Sequence, residues 1–236
     1  MAVDLSELRF SPGYRLPLHN LSIENIGHTV VVRIPEKEQS RLILSGGNLT
    51  NQGYRLVQFH FHWSEESQSH GSEHTISHHA YPLELHLVHL RADLKSLDAG
   101  VAKPDGLAVL GVLYRLERGV LDDSQRRQSA TLGAITRRLP SIAPGVGKKS
   151  PLMALSLTAL LPPAAERQSF YRYNGSLTTP PCSESVIWTI FARPLPLTST
   201  HLGLFQTVQL EGHDQNNDRP LQALQRRHIF LRNIGD

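Results

Sequence analysis

Cysteine is nearly missing from this chain. Cys182 is the single one, so no internal disulfide can form. The 236 residues must therefore hold together by burial, which a chain of this length can achieve. Long apolar runs are missing too, so no membrane-spanning segment is expected. The start, Met1-Ala2-Val3-Asp4-Leu5, lacks the basic and apolar regions of a secretory signal peptide. The polar C-terminus lacks a lipid-anchor signal. Charge of one sign is not in large excess: 24 Lys and Arg against 21 Asp and Glu leave +3. The arginine pairs Arg126-Arg127, Arg137-Arg138 and Arg226-Arg227 are scattered. They read as solvated surface, and nucleic acid is not an expected partner. Repeats and low-complexity tracts are absent as well, so residues 1–236 read as one domain.

What is present is strand-like. Thr29–Ile34 is rich in β-branched residues, and Arg41–Leu44 follows a charged loop. Tyr54–Trp63 and Tyr81–His89 alternate over long stretches, while Leu107–Leu113 and Val186–Ala192 are continuous apolar runs that suit buried strands. Gly46-Gly47, Gly71-Ser72, Pro104-Asp105-Gly106 and Pro180-Pro181 punctuate them as turns. A helix capped at Asp122 or Asp123 is expected through Leu139, and a shorter one from Ser199 or Thr200 through Leu210. Pro140–Lys149 reads as a loop. Its Gly145-Val146-Gly147-Lys148-Lys149-Ser150 fails the spacing of a phosphate-binding loop. The fold class expected is mostly β with peripheral helices.

Histidine is plentiful, at 13. Two stand in Gln58-Phe59-His60-Phe61-His62-Trp63, and another in Glu84-Leu85-His86-Leu87-Val88-His89. Side chains alternate faces along a strand, so His60 and His62 share one face, and His86 joins them if its strand lies alongside. Three neutral imidazoles with a fourth position open describe a catalytic zinc site. Gln58 and Glu84 each stand two residues before a histidine, on the same face, and zinc-bound histidines give their second N–H to such groups. A glutamate on the apolar strand Leu83–Leu87 is costly without a partner. His89 points to the opposite face from His86. His70, His78 and His79 lie in a polar loop and read as solvated, and His19, His201, His213 and His228 follow no ligand spacing. His74 stays open between a ligand and a hydrogen-bonding residue beside Glu73.

These segments, with Gly71-Ser72-Glu73-His74-Thr75 and Gly175-Ser176-Leu177-Thr178-Thr179-Pro180-Pro181, resemble the α-class carbonic anhydrases in order and spacing. Asp105–Gly111, Val186-Ile187-Trp188 and Asn217-Asp218-Arg219-Pro220 extend the resemblance over essentially the whole chain. It implies a single domain on a large twisted, mainly antiparallel sheet. It implies Zn2+ on His60, His62 and His86, and Gln58, Glu84 and the backbone carbonyl of Asn217 as their orienting groups. It implies carbon dioxide and bicarbonate as small-molecule substrates, interconverted by zinc-bound hydroxide attack. Thr178 is then the residue that donates to Glu73 and orients the hydroxide. Val88, Val109, Leu177, Val186 and Trp188 form the apolar wall, Thr179 lines the cleft, and His28 shuttles the proton. Incidental esterase activity and sulfonamide sensitivity follow from the same resemblance.

The resemblance also sets expectations where the chain departs from the family. About thirty residues that precede this start in a family domain of ordinary size are expected to be missing. Ile26 stands where asparagine is common. Cys182 matches a position that pairs with an N-terminal cysteine in secreted and membrane-associated members, and that partner is absent here, leaving intermolecular pairing open. Cys182 and the sequons at Asn20, Asn48 and Asn174 favour a secretory origin. The missing leader and disulfide partner leave a cytoplasmic one open. The alternative to an enzyme is a catalytically weak or silent carbonic-anhydrase-like binding module.

Overall fold

The computed structural model describes residues 5–64, 69–212 and 216–233. Met1–Asp4 of the expected altered start, and His213, lie outside the described residues. In chain order the strands are β1 (Leu8–Phe10), β2 (Leu21–Asn25), β3 (Val30–Arg33), β4 (Ile43–Gly46), β5 (Tyr54–Trp63) and β6 (Leu83–Arg91). Then come β7 (Leu107–Leu116), β8 (Lys149–Leu152), β9 (Phe170–Gly175), β10 (Val186–Phe191), β11 (Leu195–Leu197) and β12 (Phe230–Arg232). Helices are peripheral: α1 (Glu36–Gln39), α2 (Leu97–Val101), α3 (Asp123–Thr136), α4 (Leu139–Ile142) and α5 (Ser199–Gln206). None among the described residues is long and apolar enough to cross a membrane.

The twelve strands among the described residues belong to one twisted sheet, with the central order β12-β9-β10-β7-β6-β5-β3-β2-β8. Pairing is antiparallel except where β10 and β11 run parallel to β7. The fold expectation thus holds, and alternation explains why the site sits where it does. One face of β5 carries Phe59, Phe61 and Trp63 into the main core, joined by Leu83, Leu85 and Leu87 of β6 and Leu110 and Val112 of β7. Each such large apolar side chain contributes about 2–3 kcal/mol when buried, enough to hold the register. A one-residue slip would expose the whole set. The other face therefore presents Gln58, His60 and His62 of β5 beside Glu84 and His86 of β6. In the register His60 opposes His86, and His62 opposes Glu84. A bulge between Leu56 and Gln58 sets this phase.

Element ends differ from expectation for local reasons. The helix expected through Leu139 stops at Thr136, and α4 follows. Pro140 would clash with the Thr136 carbonyl in a continued helix. Asp122 caps α3 by accepting from the Gln125 amide at 2.8 Å. The cap of α5 is Thr198, which accepts from the His201 amide at 3.2 Å. Helix α5 ends at Gln206 rather than Leu210, and the chain then bonds outward: Gln209 N–H to Ala143 O at 3.0 Å and Glu211 N–H to Gly27 O at 2.6 Å.

Candidate metal centre

The three histidine rings of β5 and β6 converge. Their centroids lie 5.0 Å (His60–His62), 5.2 Å (His60–His86) and 4.5 Å (His62–His86) apart. One ring nitrogen from each falls within 4.8 Å of the other two. The remaining nitrogens are committed to groups that can only accept. His60 Nδ1–H donates to Gln58 Oε1 at 2.9 Å. His62 Nδ1–H donates to the Asn217 carbonyl at 2.8 Å. His86 Nε2–H donates to Glu84 Oε1 at 2.8 Å. These acceptors fix the tautomers, leaving lone pairs at His60 Nε2, His62 Nε2 and His86 Nδ1.

Electrostatics favour the neutral form at His60 and His86. Burial, then the neighbouring His62 and His86, hold the His60 pKa well below its ordinary value. Burial also lowers that of His86, against the pull of Glu84. The His62 Nε2 atom is buried and meets no partner, a costly state for a polar atom. Three neutral imidazoles, each with its second nitrogen fixed and one of them left with an orphaned lone pair, fit a zinc ion.

Behind His86 the carboxylate of Glu84, 0% exposed, serves three donors. Besides His86 it accepts from His74 N–H at 2.9 Å and His74 Nδ1–H at 2.7 Å. Burial alone would raise the Glu84 pKa, yet His74 and His86 hold it well below the usual carboxylate range. His74 Nε2 meets the Tyr173 hydroxyl at 2.6 Å. Burial works against its charge, but Glu84 outweighs that and raises the His74 pKa. Nitrogen and oxygen atoms of His74, Glu84 and His86 also cluster closely enough for a metal. Their hydrogen bonds account for that cluster, so His74 is a supporting residue, and its carboxylate partner is Glu84 rather than Glu73.

A cavity of about 410 Å³ opens on the three histidines. Val88, Val109, Leu177 and Trp188 line it, with Thr178 and Thr179 beside them, and Gln58, His28 and Asn217 on the lining as well. Val186 is buried in the same apolar cluster as Val88, Val109 and Trp188 but does not line the cavity. Further apolar lining comes from Ile26, Leu97, Val101, Leu107 and Leu210, which no local spacing singles out because α2 and the post-α5 segment reach the cavity from afar. Exposed His28 stands in this lining with Glu211.

The expected Thr178–Glu73 hydrogen bond is not formed. Glu73 Oε1 instead accepts from the Arg219 amide at 2.9 Å and lies 3.4 Å from His62 Nδ1, while the buried Glu73 Oε2 makes no hydrogen bond and lies 3.9 Å from His86 Nδ1. The backbone donor, arriving from the C-terminal segment, takes the oxygen nearest it. Asn217 does more than offer its carbonyl. Its Oδ1 accepts from Trp63 N–H at 2.7 Å, and its Nδ2 donates to Phe61 O at 2.9 Å and His28 O at 3.1 Å.

Comparison with known proteins gives a consistent picture. Residues 1–233 match the family model described as eukaryotic-type carbonic anhydrase. The chain is 35% identical to carbonic anhydrase 15 of Mus musculus over 202 residues, covering 85% of this chain and 59% of that protein's length. It is 42% identical to putative carbonic anhydrase 3 of Caenorhabditis elegans over 211 residues, or 88% of this chain and 75% of the relative. It is also 34% identical to a human carbonic anhydrase-related protein over 239 residues, or 95% of this chain and 76% of the relative.

Proposed function

Because the chain belongs to the eukaryotic-type carbonic anhydrase family, we propose that it catalyses the reversible hydration of carbon dioxide to bicarbonate and a proton, with zinc held by His60, His62 and His86. The orphaned, buried Nε2 of His62 carries this reading: its ring is oriented by Asn217 for a ligand that nothing in the chain supplies. Bound there by three neutral ligands, zinc supplies Lewis acidity that brings the pKa of water down to about 7.

The chain's residues do the rest. Gln58, Asn217 and Glu84 hold the ligand tautomers, so no reorganisation is needed at the metal. Val88, Val109, Leu177 and Trp188 form an apolar shelf suited to carbon dioxide, which carries no charge for a polar site to grip. Thr178 is a positioning residue. When its hydroxyl closes on the open Oε2 of Glu73, that hydroxyl is left with only lone pairs to offer, and these orient the hydrogen of the attacking oxygen. His28, exposed on the cavity lining, passes the product proton to solvent, since an imidazole both takes and releases a proton near neutral pH.

Elemental analysis and stopped-flow hydration test this. One zinc per chain is expected, with hydration lost in His86→Ala and only the buffer-dependent proton step slowed in His28→Ala. A metal-free protein, or equal rates in wild type and His86→Ala, would sink the proposal. The unmade Thr178–Glu73 bond favours a second reading, a silent binding module. Full zinc loading without hydration would select it.

A further inference from the structure

The metal cavity carries a single full charge of its own. Among the described residues that line it, Glu211 alone bears a carboxylate, and none is a lysine or an arginine. Glu211 and His28 are both exposed and mark the cavity's mouth. The place of Glu211 is built by two segments that clamp together there. Buried Asn25 donates from Nδ2 to Gln209 O at 2.9 Å, and its Oδ1 accepts from Gly27 N–H at 3.0 Å. Glu211 N–H donates to Gly27 O at 2.6 Å. The Glu211 side chain then lies on Gly27. A Cβ at that glycine would stand 2.5 Å from Glu211 Cδ and 2.8 Å from its Oε1, so the missing side chain is what leaves the seat open. The φ of +92° at Gly27 also calls for glycine. Seated this way, the carboxylate meets no cationic partner among the described residues.

We propose that Glu211 is a specificity-determining residue of this cavity, a fixed negative charge at the mouth that disfavours anionic ligands of the metal against neutral ones. The inference deepens the proposed function and rests on its metal site. Three neutral histidines leave a bound divalent cation its full charge, which draws in any small anion. A carboxylate at the mouth opposes that pull. Neutral carbon dioxide does not feel it, whereas bicarbonate and small inorganic anions do. The apolar wall of Val88, Val109, Leu177 and Trp188 has a low dielectric, so it focuses the field of the carboxylate into the opening. Product bicarbonate is therefore held less firmly. Because Glu211 is exposed, the discrimination is strong in dilute buffer and fades as salt screens the charge.

The probes are thiocyanate, an anion, and 1,2,4-triazole, uncharged at neutral pH. Each is titrated into the full chain loaded with cobalt(II) and followed by the visible spectrum of the metal. At low ionic strength, thiocyanate should bind about threefold tighter at each step of the series wild type, Glu211→Gln, Glu211→Lys, the size expected of one exposed charge acting on another. Triazole affinity should stay constant through the series. At an ionic strength of about 1 M, set with sodium sulfate, the three thiocyanate curves should merge. Equal thiocyanate affinities across the series, triazole moving in step with thiocyanate, or a difference that survives high salt would overturn the gate. The readout is a spectrum rather than turnover. A chain that shows the thiocyanate series without hydrating carbon dioxide keeps the gate and loses the enzyme reading. One that hydrates carbon dioxide with a flat series loses the gate alone, and one that takes up no cobalt loses both.

Discussion

At the scale of single residues, buried histidines take opposite roles on the two faces of β6. His86 faces the metal cavity, whereas His89 is sealed in the sheet, 0% exposed. Its Nδ1–H serves the carbonyls of Leu87 at 2.9 Å and Ala108 at 3.2 Å. Its Nε2 must then accept, and the Tyr14 hydroxyl donates to it at 2.6 Å. Burial lowers the His89 pKa from 6.5 to about 4. Between those values the unfolded chain binds a proton that the folded chain refuses. Stability should therefore fall as pH drops from 6.5 towards 4, by about 3 kcal/mol from this residue, and level off below. Denaturant melts of metal-free wild type and His89→Gln should differ in slope over that window alone, and parallel curves would refute the assignment. Asn217 makes a second prediction at this scale. Asn217→Ala keeps the carbonyl for His62 but strips Trp63 N–H of its acceptor, at a cost of about 1–3 kcal/mol. Zinc affinity should fall with it, as a chelator competition would show, because the carbonyl is no longer clipped in place.

At the scale of elements, the site depends on three strands in one register. Gly111 of β7 stands opposite His86. A Cβ there would lie 2.5 Å from Ile190 Cδ1 and 3.0 Å from Glu84 Oε1. Ile190 can swing its methyl aside, but Glu84 is pinned by three donors. Gly111→Ala should thus shift the group that orients His86 and weaken zinc by about 10–100-fold, the usual cost of losing such support. Unchanged affinity in a folded variant would show that Glu84 yields. The same strands explain what the sequence revealed. Gln58, His60, His62, Glu84 and His86 share faces at period two, so their grouping was legible from alternation. Strand β5 runs over the very bounds the pattern implies. Asn217 approaches from 155 residues away, and only resemblance pointed to it. Strand β8 lies at the margin of a segment read as loop and contains Pro151, which an end strand of the sheet tolerates. Strand β9 mixes Arg172 and Asn174 with its aromatics, so no clean alternation marked it. The Thr178–Glu73 pairing came from resemblance alone, and the Arg219 amide that meets Glu73 Oε1 carries no signal in local pattern.

At the scale of the whole molecule, the centre ties together parts of the chain that are far apart in sequence. His60 and His62 belong to β5, His86 to β6, and the carbonyl orienting His62 to the segment entering the sheet's far end at β12. That same segment places the Arg219 amide on Glu73. A ligand bound by the folded arrangement and not by the unfolded chain stabilises the fold by mass action. At zinc a thousandfold above its dissociation constant the increment is about 4 kcal/mol. For a chain of this size that corresponds to a rise in melting temperature of about 10 °C. Calorimetry of the protein before and after exhaustive chelation should show a drop of that order, reversed by added zinc. His86→Ala should melt at one temperature with or without the metal. Because burial of Phe59, Phe61 and Trp63 holds the register on the opposite face, the stripped protein should still unfold in one cooperative transition. A stripped chain that loses its sheet altogether would mean that the metal, rather than the apolar face, sets the register.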